Sequence, residues 1–283
     1  MSQQDSHSPL VSIYMPTKNR LELLKRAVLS VEKQTYPNLE LVVCDDGSTD
    51  GTKEYLTALK SSKTIKVKVI SNNTSNGACY ARNQAINVAE GMFITGLDDD
   101  DYMLPNRISL LLAAYKPEYS FISSAMIWDY GHKTRVIDKK PGPITLEAQL
   151  SYNEATTQIL VEKSRVIEVG GFDETFVACQ DYDLWTRLII AYGEAFRIAE
   201  PTYIINDTNP AQRMTGNPKS VRGYEQFASK HGHLMNDKNI QNQEFMKIRR
   251  LKQRYSLALL MKHRKSGHFT DKLRYWAGQY LKR

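Results

Sequence analysis

Four times in the first hundred residues a short apolar run stops at a polar or acidic stretch, and a helical repeat separates each run from the next. "LVSIYM" (10–15) ends at Pro16-Thr17, and "LELVVC" (39–44) runs into Asp45-Asp46-Gly47-Ser48. "KVKVI" (66–70) ends at Ser71, and "MFITGL" (92–97) runs into four aspartates, Asp98 to Asp101. Between the first two runs, Leu21, Leu24, Val28 and Val31 recur at helical spacing, which predicts a helix over about 20–34. Further helices are expected at about 50–60 and from Asn76-Gly77 to about Ala89. Short apolar runs alternating with amphipathic helices specify an α/β chain with a mostly parallel, doubly wound sheet flanked by helices.

Such a sheet binds its ligands in the crevice beyond the carboxyl ends of its strands. Three clusters fall there: Pro16 to Arg20, Asp45-Asp46, and Asp98 to Asp101. Four adjacent carboxylates repel one another and raise each other's pKa, so the last cluster needs either full solvation or a cation. The turn after the first strand reads "PTKNR", which is neither a glycine-rich dinucleotide turn nor a phosphate loop.

The second half is less regular. Strands are expected at "FISSAMIW" (121–128) and "RVIDKK" (135–140), and a helix at about 145–150. Gly170-Gly171 predicts a tight turn, followed by a helix with Leu184, Leu188 and Ile189 inward. The 283 residues suffice for one large domain with an appendage, and net charge locates the boundary. Residues 219–283 carry 16 Lys and Arg against 4 Asp and Glu, whereas residues 1–218 carry 22 against 27. A mildly acidic body with a basic tail suggests an anionic partner for the tail, such as a membrane surface. No apolar run is long enough for a transmembrane helix, and the polar start "MSQQDSHSPL" lacks a signal-peptide core. Three scattered cysteines (Cys44, Cys79, Cys179) fit a reducing compartment, so a cytoplasmic location is expected.

Together these segments resemble the family 2 glycosyltransferases, whose fold is GT-A. "VSIYMPTKNR", "SVEKQTYPNLELVVCDDGSTDGT", "NGACYARNQAINVAEGMFITGLDDDDYMLP", "GGFDETF…QDYDLWTRL" and "RMTGNPKSVRGYEQFASKH" match that family's blocks in order, over roughly residues 10–235. The resemblance implies a Rossmann-like GT-A catalytic domain over 1–218, with a nucleotide-sugar half at about 10–105 and an acceptor half at about 106–218. It also implies inverting transfer of a sugar from a nucleotide-sugar, UDP by family habit, to a glycan or lipid-linked acceptor in bacterial surface polysaccharide synthesis. In the acidic run, Asp98 and Asp100 match the family's DxD carboxylates, with Asp99 between them. By that match Asp100 is the ligand of a divalent cation (Mn²⁺ or Mg²⁺), and Asp98 a ribose or second metal contact. Asp46 would accept hydrogen bonds from the base or ribose, with Pro16, Thr17, Asn19, Gly77 and Asp99 lining the nucleotide pocket. Arg20 and Arg82 would face the base or diphosphate, since a guanidinium donates bidentately to phosphate.

The catalytic base in the family is the Asp of a Glu-Asp pair, which here is Gln180-Asp181; Asp181 inherits the role, and the missing Glu is a departure. Asp183 is the weaker candidate, better suited to a structural part at a helix start. Trp185 could stack on a sugar, or belong to the core with Leu184 and Leu188. Asp207 stands where many relatives carry a His near the metal.

The tail carries two apolar stripes, Phe245, Ile248, Leu251, Tyr255, Leu259 and Phe269, Leu273, Trp276, Tyr280, interleaved with Lys and Arg. Basic amphipathic helices with Trp and Tyr on the apolar side suit a membrane interface, here the cytoplasmic face of the inner membrane. Packing on the catalytic domain or on a second copy of the chain is the alternative; nucleic acid is not expected, because no binding motif accompanies the charge. Two other functions compete with glycosyl transfer. A sugar-nucleotide nucleotidyltransferase would need a glycine-rich loop with Arg after the first strand, and a non-catalytic binding module would not need Asp46, Asp98, Asp100 and Asp181.

Overall fold

The computed structural model describes residues 8–61, 64–208 and 218–281. Residues 213–217 of the C-terminal block, Lys282, Arg283 and the first residues of the polar start lie outside them.

The apolar runs become buried parallel strands, β1 (Val11–Thr17), β2 (Leu39–Asp45), β3 (Lys66–Ser71) and β4 (Phe93–Gly96). They pair in the order β3-β2-β1-β4, all parallel. Helices α1 (Leu21–Glu32), α2 (Thr52–Leu59) and α3 (Ala78–Val88) join them. Residues Leu24, Ala27, Val28 and Val31 of α1 are buried in one core with Ile13, Met15, Leu41 and Val43, because apolar residues three and four apart leave one stripe facing the sheet.

Beyond β4 the sheet continues through β9 (Leu160–Glu162), β6 (Ile122–Asp129), β10 (Ala195–Asn206) and β5 (Tyr102–Met103). Strand β9 is antiparallel to both neighbours, while β6 and β10 pair in parallel. Short strands β7 (Thr134–Ile137) and β8 (Gly142–Ile144) pair antiparallel to β6 and β10. The second half adds α4 (Arg107–Ala114), α5 (Leu146–Ser151), α6 (Lys163–Glu168) and α7 (Gln180–Tyr192). Trp185, Leu184, Leu188 and Ile189 of α7 join Tyr14, Phe172 and α3 in a second core on the other sheet face. Trp185 is therefore a core residue, its Nε1 donating to Thr156 O at 3.1 Å.

The tail is helical: α8 (Pro218–His231), α9 (Asp237–Arg250), α10 (Leu257–Lys262) and α11 (Phe269–Leu281). Its first stripe divides. Phe245, Ile248 and Tyr255 are buried with Leu260 in a satellite core against Tyr152, whereas Leu251, just past the end of α9, is exposed. The stripe is no continuous helix, because Lys252 adopts a left-handed φ of 53° between α9 and α10. Most of it packs on the body of the protein. Of the second stripe, Phe269, Leu273 and Tyr280 are exposed.

Candidate active site

Thr17, Asp45 and Ser71 are partners in register, so β1, β2 and β3 end level. The acidic run leaves β4 beside them and is tied there by Thr17, whose Oγ1 donates to Asp99 Oδ2 at 2.8 Å. Arg20, at the start of α1, donates from Nη1 to Asp99 Oδ1 and to Asp100 Oδ2, each at 3.0 Å. Arg82 on α3 donates from Nη2 to Asp98 Oδ1 at 2.8 Å, with its guanidinium 5.4 Å from the centre of the Phe172 ring. Arg26, one turn along α1, holds the Asp100 backbone carbonyl at 2.6 Å.

The four carboxylates thus do different things. Asp99 is buried, and burial with the neighbouring Asp100 charge raises its pKa to about 6 against the pull of Arg20. Asp101 is buried and accepts the Asn206 N–H at 2.9 Å, while its own N–H closes a turn onto Asp98 O. Asp98 and Asp100 keep 27% and 24% of their side chains exposed, so these two can still meet a ligand. Guanidinium groups interleaved with the carboxylates relieve the repulsion that the sequence alone left open.

Asp46 is buried at the end of β2, and both its oxygens carry bonds from the loop after β3. It accepts from Asn72 Nδ2 (3.0 Å), Ser75 Oγ (2.6 Å), the Asn76 N–H (2.9 Å) and the Gly77 N–H (2.9 Å). Burial alone would raise its pKa, but these donors outweigh it and hold the carboxyl below its usual range. Gly77, with φ of +98°, caps α3 at this point. Asn19, at φ 52°, accepts the Thr49 N–H at 2.7 Å and so fastens the first loop to the second. Pro16 is half-buried in β1, beside Cys44 in β2.

Asp181 is the second residue of α7, where the helix N-terminus favours a negative charge. Asn153 Nδ2 donates to its Oδ2 at 3.1 Å. Burial raises its pKa to about 6; the Tyr182 N–H and Arg82 oppose that rise, and the Asp98 charge adds to it. Asp181, Arg82, Asp98 and Tyr14 therefore share one electrostatic neighbourhood. Gln180, where the family has Glu, turns back to donate to Phe176 O at 3.3 Å. Asp183 is buried and structural, held by Arg187, Lys230 and His231. Asp207 accepts from Trp128 Nε1 at 2.8 Å. Sequence reasoning found Gly77 but missed Arg26, Asn153 and residues 72–76, all of which act through contacts distant along the chain.

Among the described residues no three His, Cys, Asp or Glu side chains converge as a metal cage. Asp98 and Asp100 are the two carboxylates of the acidic run left partly exposed, and one or two carboxylates with a diphosphate are a donor set that fits a hard divalent cation.

The sheet order, with acidic residues at its carboxyl edge, is that of the GT-A fold. The family model for glycosyl transferase family 2 matches residues 12–170, over half of the chain, and the chain belongs to that family. It is 36% identical, over 80% of its length and 82% of the relative's, to a protein of Escherichia coli K12 named as the colanic acid biosynthesis glycosyl transferase WcaA. It is 33% identical over 64% of its length to WfaP of Escherichia coli, 70% of which it covers; WfaP is named UDP-Glc:alpha-D-GlcNAc-diphosphoundecaprenol beta-1,3-glucosyltransferase. Among solved structures, S. aureus TarS 1–349 in complex with UDP-GlcNAc superposes with a TM-score of 0.66 at 18% identity, covering 94% of this chain and 78% of that one. The chain spans 64% of another crystal structure of TarS 1–349, with a TM-score of 0.64 at 20% identity. At such identities the likeness concerns the fold.

Proposed function

We propose that the chain is an inverting, divalent-cation-dependent glycosyltransferase. It would move a sugar from a UDP-sugar to a hydroxyl of a lipid-linked or glycan acceptor during bacterial surface polysaccharide synthesis. The observation that carries this reading is the shared neighbourhood of Asp98, Arg82 and Asp181, which supports a part for Asp98 on the diphosphate side and for Asp181 as the base. Asp181 takes the proton of the acceptor hydroxyl as that oxygen attacks the anomeric carbon. Its raised pKa leaves it ionised at neutral pH yet more basic than an ordinary aspartate, which suits a general base. Asp98 and Asp100 would hold Mn²⁺ or Mg²⁺, which supplies Lewis-acid neutralisation of the departing diphosphate. Arg20 and Arg82, which pair with these carboxylates, would add their remaining donors to the same diphosphate, and Asp46 orders the loop 72–77 that would border the nucleotide.

A lipid-linked acceptor fits the diphosphoundecaprenol named for WfaP. It also suits the tail as a peripheral contact with the cytoplasmic membrane face, since α10 and α11 display Leu257, Met261, Leu273 and Tyr280 among basic residues. No helix among the described residues is long and apolar enough to cross a membrane.

A panel of UDP-, GDP- and dTDP-sugars incubated with the protein and Mn²⁺ tests the reading. Release of UDP from a UDP-sugar is expected. Pyrophosphate release from UTP and a sugar phosphate would instead identify a nucleotidyltransferase, and no turnover with any donor and acceptor would leave a binding module.

A further inference from the structure

Helix α8 lies in the basic C-terminal portion, yet one side of it follows the segment that carries Asp181 from end to end. Gly223, Gln226, Phe227, Lys230 and His231 are spaced i, i+3, i+4, i+7 and i+8, a single helical face. Lys230 Nζ pairs with Asp173 Oδ2 at 2.7 Å and Asp183 Oδ1 at 2.9 Å. Gln226 donates to Thr175 O at 2.8 Å and accepts the Val177 N–H at 3.1 Å. The Phe227 ring stacks on Tyr182 with centroids 3.7 Å apart and planes 13° apart, and His231 Nε2 meets Asp183 Oδ1 at 2.8 Å.

At the centre of this contact the helix touches backbone. A Cβ on Gly223 would lie 2.7 Å from the carbonyl carbon, carbonyl oxygen and Cβ of Ala178, so only glycine admits this approach. The next residue, Cys179, is the N-cap of α7 and sits in the left-handed region at φ 61°. That conformation is costly for a residue with a Cβ and persists only where the surroundings enforce it. Two residues later comes Asp181.

We propose that α8 is the positioning element of the catalytic base: its close seat on Ala178 imposes the left-handed turn at Cys179 that aims Asp181 at the acceptor. The proposal rests on the reading of Asp181 as the base. It assigns Gly223 and Gln226 a part in turnover although neither reaches the site.

The test uses the full chain. Gly223→Ala forces α8 or the 178–181 backbone to move, and a displacement of about 1 Å at a reacting group can cost about 100-fold in rate. The expected result is a loss of kcat of that order for UDP release from the UDP-hexose that the wild type turns over. Affinity for UDP by calorimetry should stay within about twofold, because Asp98 and Asp100 lie in the run that follows β4, and the α8 contacts named above do not include them. Gln226→Ala, which adds no bulk, should lower kcat by a smaller factor with the same split, and it decides the matter if Gly223→Ala does not fold. Amide exchange gives a reading independent of the donor: exchange should rise over residues 173–183 and not over 93–107. Wild-type kcat together with unchanged exchange in Gln226→Ala, or in folded Gly223→Ala, overturns the proposal. Asp181→Asn separates the two readings. If that variant retains wild-type turnover, the assignment of the base fails; if it is inactive while both α8 variants are not impaired, only the positioning role fails.

Discussion

Arg82 Nη2 donates to Asp98 Oδ1 at 2.8 Å, and both charges are felt by Asp181, with opposite signs. Arg82 lowers the pKa of Asp181, whereas Asp98 raises it on top of the larger effect of burial. The base must be ionised to act, so activity rises with pH through the Asp181 pKa of about 6. Arg82→Met removes the charge that opposes burial and should carry the acidic limb of the pH–rate profile to higher pH. Asp98→Asn should carry it to lower pH, whatever it does to the maximum. Profiles of kcat between pH 4.5 and 8 check this, and limbs that both move the same way would contradict it.

Asp100 keeps its exposed edge beside Arg20, and its carboxylate is the proposed seat of the cation. Asp100→Asn removes one of two protein charges from that seat and should lower turnover by at least about 100-fold, the scale seen when a preorganised electrostatic group is lost. EDTA should silence the wild type, and added Mn²⁺ or Mg²⁺ should restore it. Full activity in EDTA would show that arginines alone suffice for the leaving group.

The first four strands and three helices were legible because each is a local pattern: an apolar run, then a stripe at helical spacing. In the other half β6 and β7 were announced by their apolar runs, but β5, β9 and β10 were not, for reasons visible in those strands. Strand β5 has two residues and β9 three, too short for any periodicity. Strand β10 is long, but its pairing with β6 shifts register between Ile198 and Pro201 and again before Tyr203, so its alternation breaks. The site divides in the same way. Acidic runs at strand ends announced Asp46 and Asp98 to Asp101, but what each carboxylate touches depends on residues far along the chain. Asp46 takes its donors from positions 26 to 31 residues away, and Asp181 is joined to Asn153, 28 residues distant. The basic tail was legible as charge, while the burial of Phe245 and Tyr255 depended on a turn at Lys252 that no local signal marks.

Lys272 on α11 predicts how the tail is held. Its side chain is fully buried, and Nζ donates to Asn242 Oδ1 (2.6 Å), Ser266 Oγ (2.5 Å) and Gly267 O (2.7 Å). Lys272→Met keeps the volume but removes the donor these acceptors share, and an acceptor left buried and unsatisfied costs about 1–3 kcal/mol. A clear fall in Tm at pH 7 is expected. Burial also lowers the Lys272 pKa from its ordinary 10.5 to about 8. Between those values the folded chain binds fewer protons than the unfolded one, so this lysine makes stability rise with pH. That rise should be present in the wild type between pH 8 and 10.5 and reduced in Lys272→Met. An unchanged Tm in the variant would contradict the role.

The exposed side of the tail makes the last prediction. Leu257 and Met261 lie one turn apart on α10 and are 56% and 46% exposed; Leu273 and Tyr280 lie two turns apart on α11 and are 40% and 51% exposed. Arg254, Arg264, Lys265 and Arg274, close to them in sequence, are exposed as well. Each basic residue close to an anionic leaflet contributes roughly 1 kcal/mol, and the apolar side chains add burial in the interface. The intact protein should float with anionic vesicles at low salt and less so as salt shortens the electrostatic reach to about 8 Å at physiological ionic strength. Replacing Leu257, Met261, Leu273 and Tyr280 together by Ser should abolish flotation while leaving the melting curve nearly unchanged, since exposed positions each change stability by about 0.5 kcal/mol or less. Truncation before α9 is a poorer test, because Phe245 and Ile248 belong to the core around Tyr152. Activity toward a soluble acceptor mimic should survive the fourfold variant, and activity toward a lipid-linked acceptor in vesicles should fall. If the wild type stays in solution with anionic vesicles at low salt, these residues serve contact with another protein instead, and the fourfold variant should then change the oligomeric state seen by light scattering.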